Sequence, residues 1–187
     1  MGVIDTIKNV FNPSKDEVRH EQRALNVVPA FGSVVAVGSD NALTFTAVWA
    51  AIRLLSESVS SLPLNVFTNS NGDKIIAENN PVYPLLKIRP NNYQSKITFL
   101  EKVMMDLLTK GNSYVRIERN RGAIPTALLP LNADDVNIKF IDGVLFYETG
   151  SNIYDASDIL HFKTITKDGI IGLSPIDQCK NSIGWGM

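Results

Sequence analysis

At Gly111 the hydrophobic period of the chain changes, and this change restricts the fold more than any other feature of the sequence. Before it, apolar residues recur every three or four positions, the spacing of helices that bury one face. From Asn112 onward they alternate, the spacing of strands with one face on a core and one in water. Helices followed by a run of hairpin strands indicate an antiparallel sheet. The pattern specifies an α+β fold, helices followed by a small antiparallel sheet.

The helical half resolves into three segments. Phe45, Val48, Trp49, Ile52, Leu55 and Val59 predict a helix over residues 44–61 with one buried apolar face, stopped by Pro63. Leu64 to Phe67 then reads as a strand, and Asn71-Gly72-Asp73 as a hairpin turn into Lys74-Ile75-Ile76. Residues 81–88 form a short helix that opens on Pro81 and ends at Arg89-Pro90. Ser95 is the expected N-cap of a helix reaching Lys110, with Leu100, Val103, Met104, Leu107 and Leu108 as its buried stripe and Gly111 as its stop.

The second half reads as five short strands over residues 114–118, 126–129, 136–140, 144–147 and 159–162. Asn120-Arg121-Gly122 and Ile141-Asp142-Gly143 supply turns between them. Ser174-Pro175 opens a last helix, with the Ser174 hydroxyl as N-cap and Asp177 at its positive end. Residues 1–43 differ in character. A short amphipathic segment ends at Pro13, a charged patch runs from Lys15 to Arg23, and a loose Val, Gly, Ser and Ala stretch follows. This is an arm, and an ordinary flexible terminus and a partner-binding segment both fit it.

Composition excludes several classes of function. The 187 residues are 44% hydrophobic, enough for one core and two subdomains at most. With 18 basic against 19 acidic residues the chain lacks the positive excess of a protein that grips DNA phosphates tightly. A single cysteine, Cys179, cannot pair internally, so a reducing compartment is expected. Cys179 and the two histidines, His20 and His161, lie far apart in sequence and do not suggest a zinc site; no cofactor is expected. Residues 1–8 do not resemble a signal peptide, and Arg53 and Glu57 interrupt the best apolar run, so a soluble intracellular chain is expected.

Reactive groups are few. His161, with Asp158 and Lys163 nearby, is the one candidate general base. A histidine closing an apolar strand is, however, expected to be packed and bonded to backbone. Ser174 is followed by Pro175 and does not form a nucleophile elbow. Cys179 is expected to be a buried, inert thiol, and no phosphate-binding glycine loop is present. The cationic residues Arg116, Arg119, Arg121 and Lys139 are candidates for weak contact with DNA or a partner, against a competing reading as a half-solvated strand face. No catalytic site emerges.

Five segments in order resemble the portal proteins of tailed bacteriophages and prophages, in particular the shorter portals of long-tailed phages. They are residues 48–67 (helix, Ser-Glu-Ser, then Ser-Leu-Pro-Leu), residues 80–91 (Asn80-Pro81 through Arg89-Pro90-Asn91), and Gly111-Asn112-Ser113-Tyr114 at the helix–sheet step. Leu128-Leu129-Pro130-Leu131 and residues 158–176 complete the set, with Asn80 where the family usually has histidine. The resemblance covers residues 44–185 and implies a ring subunit, usually one of twelve, at one capsid vertex. DNA would pass through that ring, driven by a separate terminase motor, with capsid protein and a head–tail adaptor as further partners. It implies no active site and places the protein in the virion, or in host cytoplasm during assembly.

On this resemblance residues 1–43 are an arm, residues 44–173 the outer wing-like domain, and residues 174–187 the start of a helix toward the stem and channel. The family's channel helices, clip and crown have no counterpart here, so an N-terminal portion is expected. Two other readings compete with the ring subunit. One is a portal-derived module that caps portal subunits through a single surface. The other is a small hydrolase, which would need His161 exposed in a pocket beside Ser174 or Asp158.

Overall fold

A computed structural model describes residues 42–43, 45–70 and 72–186, with side chains through Lys180. Apart from Ala42 and Leu43, the expected N-terminal arm lies outside the described residues. Four helices are described: α1 (Thr46–Ser60), α2 (Val82–Lys87), α3 (Lys96–Lys110) and α4 (Pro175–Gly186). The strands are β1 (Phe67–Ser70), β2 (Asp73–Ile76), β3 (Asn112–Arg119), β4 (Pro125–Pro130), β5 (Val136–Ile141), β6 (Val144–Thr149), β7 (Asn152–Asp155) and β8 (Ile159–Lys163).

The fold is α+β with antiparallel strands, as expected, but the strands divide among small sheets instead of gathering in one. β1 and β2 make a separate hairpin, while the others divide into two three-stranded antiparallel sheets ordered β4-β3-β8 and β5-β6-β7. One strand, β7, escaped the sequence pattern because its four residues contain a single aliphatic side chain. The first strand also starts later than expected: residues 64–66 belong to no strand, and pairing begins at Phe67↔Ile76. At the β5–β6 turn Asp142 and Gly143 both take positive φ (52° and 80°), the geometry that a two-residue hairpin with matched twist requires.

The layers follow from which side chains face where. In the first sheet Val115 and Leu128 pack with Leu85, Phe99 and Val103 of the helices. On its opposite face Tyr114 and Ile159 pack with Tyr147 of the second sheet, supported by Val136, Ile138, Leu145 and Tyr154. A third cluster joins Ile52 of α1, Ile176 of α4 and Ala42, flanked by Met105 and Leu108 of α3. Helix α3 is therefore central: it covers the first sheet on one side and receives α1 and α4 on the other. Its ends are as expected, with Ser95 Oγ accepting from Thr98 N at 3.1 Å and Gly111 left-handed at φ 78°.

Helix α1 departs from expectation. Of the apolar face read from the sequence, Ile52 is buried, but Trp49, Leu55 and Val59 are 43%, 49% and 37% exposed. The residues turned fully inward with Ile52 are Ser56 and Ser60. The buried edge of α1 is thus one aliphatic and two small side chains spaced about a turn apart, and small side chains on such an edge permit close helix packing.

Asn91 closes the outer edge of the first sheet. It is 4% exposed, its Oδ1 accepts from Tyr93 N (3.1 Å) and Gln94 N (2.8 Å), and its Nδ2 donates to Leu128 O (2.9 Å). Beside it Leu128 N donates to Pro90 O at 2.8 Å, so the loop takes the place of a fourth strand. Asn91→Ala leaves these buried groups unpaired, and urea unfolding should report a loss of about 2–3 kcal/mol.

Candidate functional site: the clasp that launches the last helix

Where α3 passes into β3, the chain meets the segment that leads into α4. Gly111 ends α3 in a conformation that side chains rarely adopt, and there its backbone meets the backbone of residues 172–174. A Cβ on Gly111 would lie 2.4 Å from Leu173 O, and one on Gly172 would lie 2.1 Å from Gly111 O. Both positions require glycine for space, and Gly111 requires it also for its φ.

The next residue fastens the crossing. Asn112, 8% exposed, accepts from Gly172 N on Oδ1 (2.7 Å) and donates from Nδ2 to Gly172 O (2.8 Å). Its side-chain amide thus pairs with one backbone residue as a strand neighbour would. Thr164 N donates to Gly111 O (3.0 Å), and the Thr164 hydroxyl reaches Leu173 O (2.6 Å). Ser174 completes the set: its hydroxyl donates to Thr109 O (2.7 Å) and accepts from Asp177 N (3.1 Å), tying the start of α4 to the end of α3. The expected N-cap role of Ser174 is observed.

The loop entering the clasp has its own staple. Asp168 Oδ1 accepts from Ile170 N (2.8 Å) and Ile171 N (2.9 Å), Gly169 turns at φ 79°, and Leu173 N donates to Ile165 O (2.9 Å). Those two amides hold the Asp168 carboxyl below the usual carboxylate range.

His161 belongs to the same network. Its Nε2 lies 3.0 Å from Asn112 Oδ1 and its Nδ1 lies 3.2 Å from Tyr147 Oη. Because Gly172 presents one donor and one acceptor, it fixes which end of the Asn112 amide is oxygen. That oxygen can only accept, so Nε2 carries the proton, and Nδ1 accepts from the Tyr147 hydroxyl. The ring stacks on Tyr114 with centroids 4.4 Å apart. The hydrogen bonds thus run from the second sheet through Tyr147, His161 and Asn112 to Gly172, just before α4.

This geometry corrects two expectations. His161 is bonded to side chains rather than to backbone, and both nitrogens are committed. Burial, reinforced by Lys163, pushes its pKa down to about 4, so the ring is neutral at pH 7. Burial, with a smaller contribution from Tyr147, pushes Tyr114 up to about 12. The grouping a hydrolase would need does not form: the Ser174 hydroxyl donates to a helix carbonyl, and Asp158 accepts from Arg119 Nε at 3.2 Å. Cys179 is exposed, not buried: α4 is buried at Ile176, and residues 177–180 beyond it are all exposed.

The four cationic candidates are brought together only in part. Arg116 and Arg119 line one cleft with Glu118, Thr126, Tyr154 and Asp158. Arg116 pairs with Glu118 and donates to Tyr154 Oη at 3.2 Å; Arg119 also donates to Ser157 O at 3.1 Å. Lys139 is on the second sheet, 2.7 Å from Glu148 across the ladder, and Arg121 is exposed on the β3–β4 turn. Among the described residues no cluster of His, Cys, Asp and Glu is placed to hold a metal ion. Sequence reasoning passed over Asn112 and Tyr147 as individual site residues. An asparagine opening an apolar strand is a poor strand former and was the available signal.

Comparison with known proteins gives this architecture its family. The family model "Phage portal protein" matches residues 46–187, and the chain belongs to that family. It is 32% identical to the portal protein of Enterobacteria phage HK97 over 79% of this chain and 36% of that protein. It is 26% identical to the probable portal protein of Streptomyces phage phiC31 over 86% of this chain and 37% of that protein. The chain therefore spans 36–37% of the length of these curated relatives.

Among solved structures, the neck of an empty gene transfer agent particle matches with a TM-score of 0.63 at 22% identity, over 89% of this chain and 48% of that one. A portal protein of the HK97 family from Corynebacterium diphtheriae matches with a TM-score of 0.53 at 20% identity, over 73% and 43%.

Two outcomes test the clasp. Gly111→Ala combines a backbone clash with an unfavourable φ and should cost about 3–4 kcal/mol in urea unfolding, whereas Gly143→Ala, with φ 80° but open space around it, should cost about 1 kcal/mol. The second concerns pH. The His161 pKa is lower in the fold than its ordinary 6.5, so the unfolded chain binds the extra proton first. Stability is complete above pH 6.5 and falls as pH drops toward 4. Thermal melts of His161→Gln should show a smaller loss across that window. The comparison is needed because Asp106, whose pKa burial raises, works in the opposite direction.

Proposed function

We propose that this chain is the N-terminal, wing-like portion of a structural portal subunit that associates with copies of itself into a ring for DNA packaging and ejection. The observation carrying this reading is the family match over residues 46–187, together with a fold shared with the neck of a gene transfer agent particle computed with C6 symmetry. In this reading residues 44–173 are the wing and residues 174–187 begin a helix aimed at the stem. The clasp then serves to fix the direction in which that helix leaves the wing. The role is mechanical rather than catalytic, in keeping with polar groups at the junction that are spent on one another.

The ring would sit at the portal vertex of the virion after assembling in host cytoplasm, with capsid protein, terminase and a head–tail adaptor as neighbours. A net charge of −1 suits a passage along which DNA must slide, since every tight phosphate contact would retard it. Arg116, Arg119, Arg121 and Lys139 are weak contact points in this scheme. Their pairing with Glu118, Asp158 and Glu148 in three of the four cases lets them meet a phosphate or a partner only by exchange.

Light scattering during size-exclusion chromatography tests the self-association. Masses at multiples of the 20.6 kDa protomer, increasing with concentration, are expected. A monomer at every concentration overturns ring formation by this chain and leaves the one-surface capping module.

A further inference from the structure

The least supported element of the fold is the β1–β2 hairpin. Every residue of both strands is exposed, and each strand's one substantial neighbour among the described elements is the other. A lone two-stranded hairpin is marginal in water. This one nevertheless stands on a braced root: Ala77 N donates to Val66 O (2.8 Å), Lys87 Nζ to Asn65 Oδ1 (2.8 Å) and Lys96 Nζ to Leu62 O (2.7 Å). In the register Phe67↔Ile76 and Asn69↔Lys74, these four residues share one face, with Phe67 and Ile76 54% and 44% exposed. That face is apolar at its root (Phe67, Ile76) and carries one cation toward its tip, and Lys74 makes no ion pair among the described residues.

A receptive surface of opposite character lies elsewhere. Trp49, Arg53, Ser56, Glu57, Glu101 and Met105 line a groove between α1 and α3. Arg53 is already bound to Glu57 at 2.6 Å, and Glu101 has no ion-pair partner among the described residues, so the groove carries an anionic excess. Trp49 is 43% exposed over it, and Ser56, 6% exposed, has a hydroxyl with no hydrogen-bond partner. No residue of the hairpin lines that groove.

We infer that the hairpin of one copy docks its Phe67–Lys74–Ile76 face into the α1–α3 groove of the next, with Lys74 against Glu101. The partner is a second copy of this chain because the two surfaces are complementary in charge, each offers exposed apolar area, and the hairpin face stays exposed within a single copy. Such a contact is heterologous and repeats around a closed ring. The inference rests on the self-association proposed above and names its interface. It also accounts for the outward turn of Trp49, which the sequence pattern assigns to a buried face.

Disulfide trapping tests it on the 187-residue chain with Cys179→Ser. Lys74→Cys and Glu101→Cys proteins, prepared separately and then mixed under mild oxidation, should give a covalent dimer that neither gives alone. Phe67→Ser with Ile76→Ser should abolish the dimer and leave the melting temperature within about 2 °C, since the hairpin adds little to the core. Lys74→Glu and Glu101→Lys should each raise the concentration of half-assembly by about tenfold, and together should restore it. Oligomers that persist in the Phe67→Ser/Ile76→Ser protein and give no 74–101 dimer overturn this interface while the ring reading stands. A wild-type chain that never self-associates overturns both. In a Lys74→Cys/Glu101→Cys double variant at low concentration, a 74–101 bond formed within one molecule assigns the groove to the chain's own hairpin and overturns the inference.

Discussion

The pairing of the Asn112 side chain with the backbone of Gly172 is the contact on which the rest of the structure turns. It joins the end of the central helix, the first residue of the central strand and the approach to α4 in one place. Nothing bulkier than glycine fits where the two chains cross, because Gly111 and Leu173 meet backbone to backbone. The amide then satisfies both polar groups of Gly172 that the crossing buries, at 2.7 and 2.8 Å. A buried peptide group left unpaired would cost more than an ordinary hydrogen bond contributes, so the crossing depends on this particular side chain.

From that point the network extends outward without exposing a reactive group. His161 and Tyr147 have the composition of a catalytic pair, yet their donors and acceptors face each other and Asn112. Burial keeps the imidazole neutral and the two tyrosines protonated, and stacking on Tyr114 fills the remaining space. The result is a rigid tie between the second sheet and the root of the last helix. In the proposed reading as a portal subunit, such a tie would fix the direction in which α4 leaves the wing.

The helical layer shows a different balance. Helix α1 buries Ser56 and Ser60 beside Ile52 and leaves Trp49, Leu55 and Val59 partly in water. The β1–β2 hairpin, by contrast, has its apolar side chains and almost nothing to cover them. Among the described residues serines are buried while tryptophan and phenylalanine are exposed, apolar surface that the proposed contact between copies would cover.

Local chemistry settled much of this protein before any tertiary contact formed. The period change at Gly111, the Ser95 and Ser174 caps, the prolines at 63, 81, 90 and 175 and the Asp142-Gly143 turn place nearly every helix and hairpin, because each acts within a few residues of itself. The family motifs were legible for the same reason. Tertiary structure alone decided the division into two sheets, the turning of α1, and the meeting of Asn112, Tyr147, His161 and Gly172. Those residues lie up to 60 positions apart, and periodicity reports only which faces are apolar, not which surface will cover them. Nor could the sequence show that the hydrogen-bonding groups of His161 would be consumed by an asparagine and a tyrosine, since that depends on distances that packing of three layers creates.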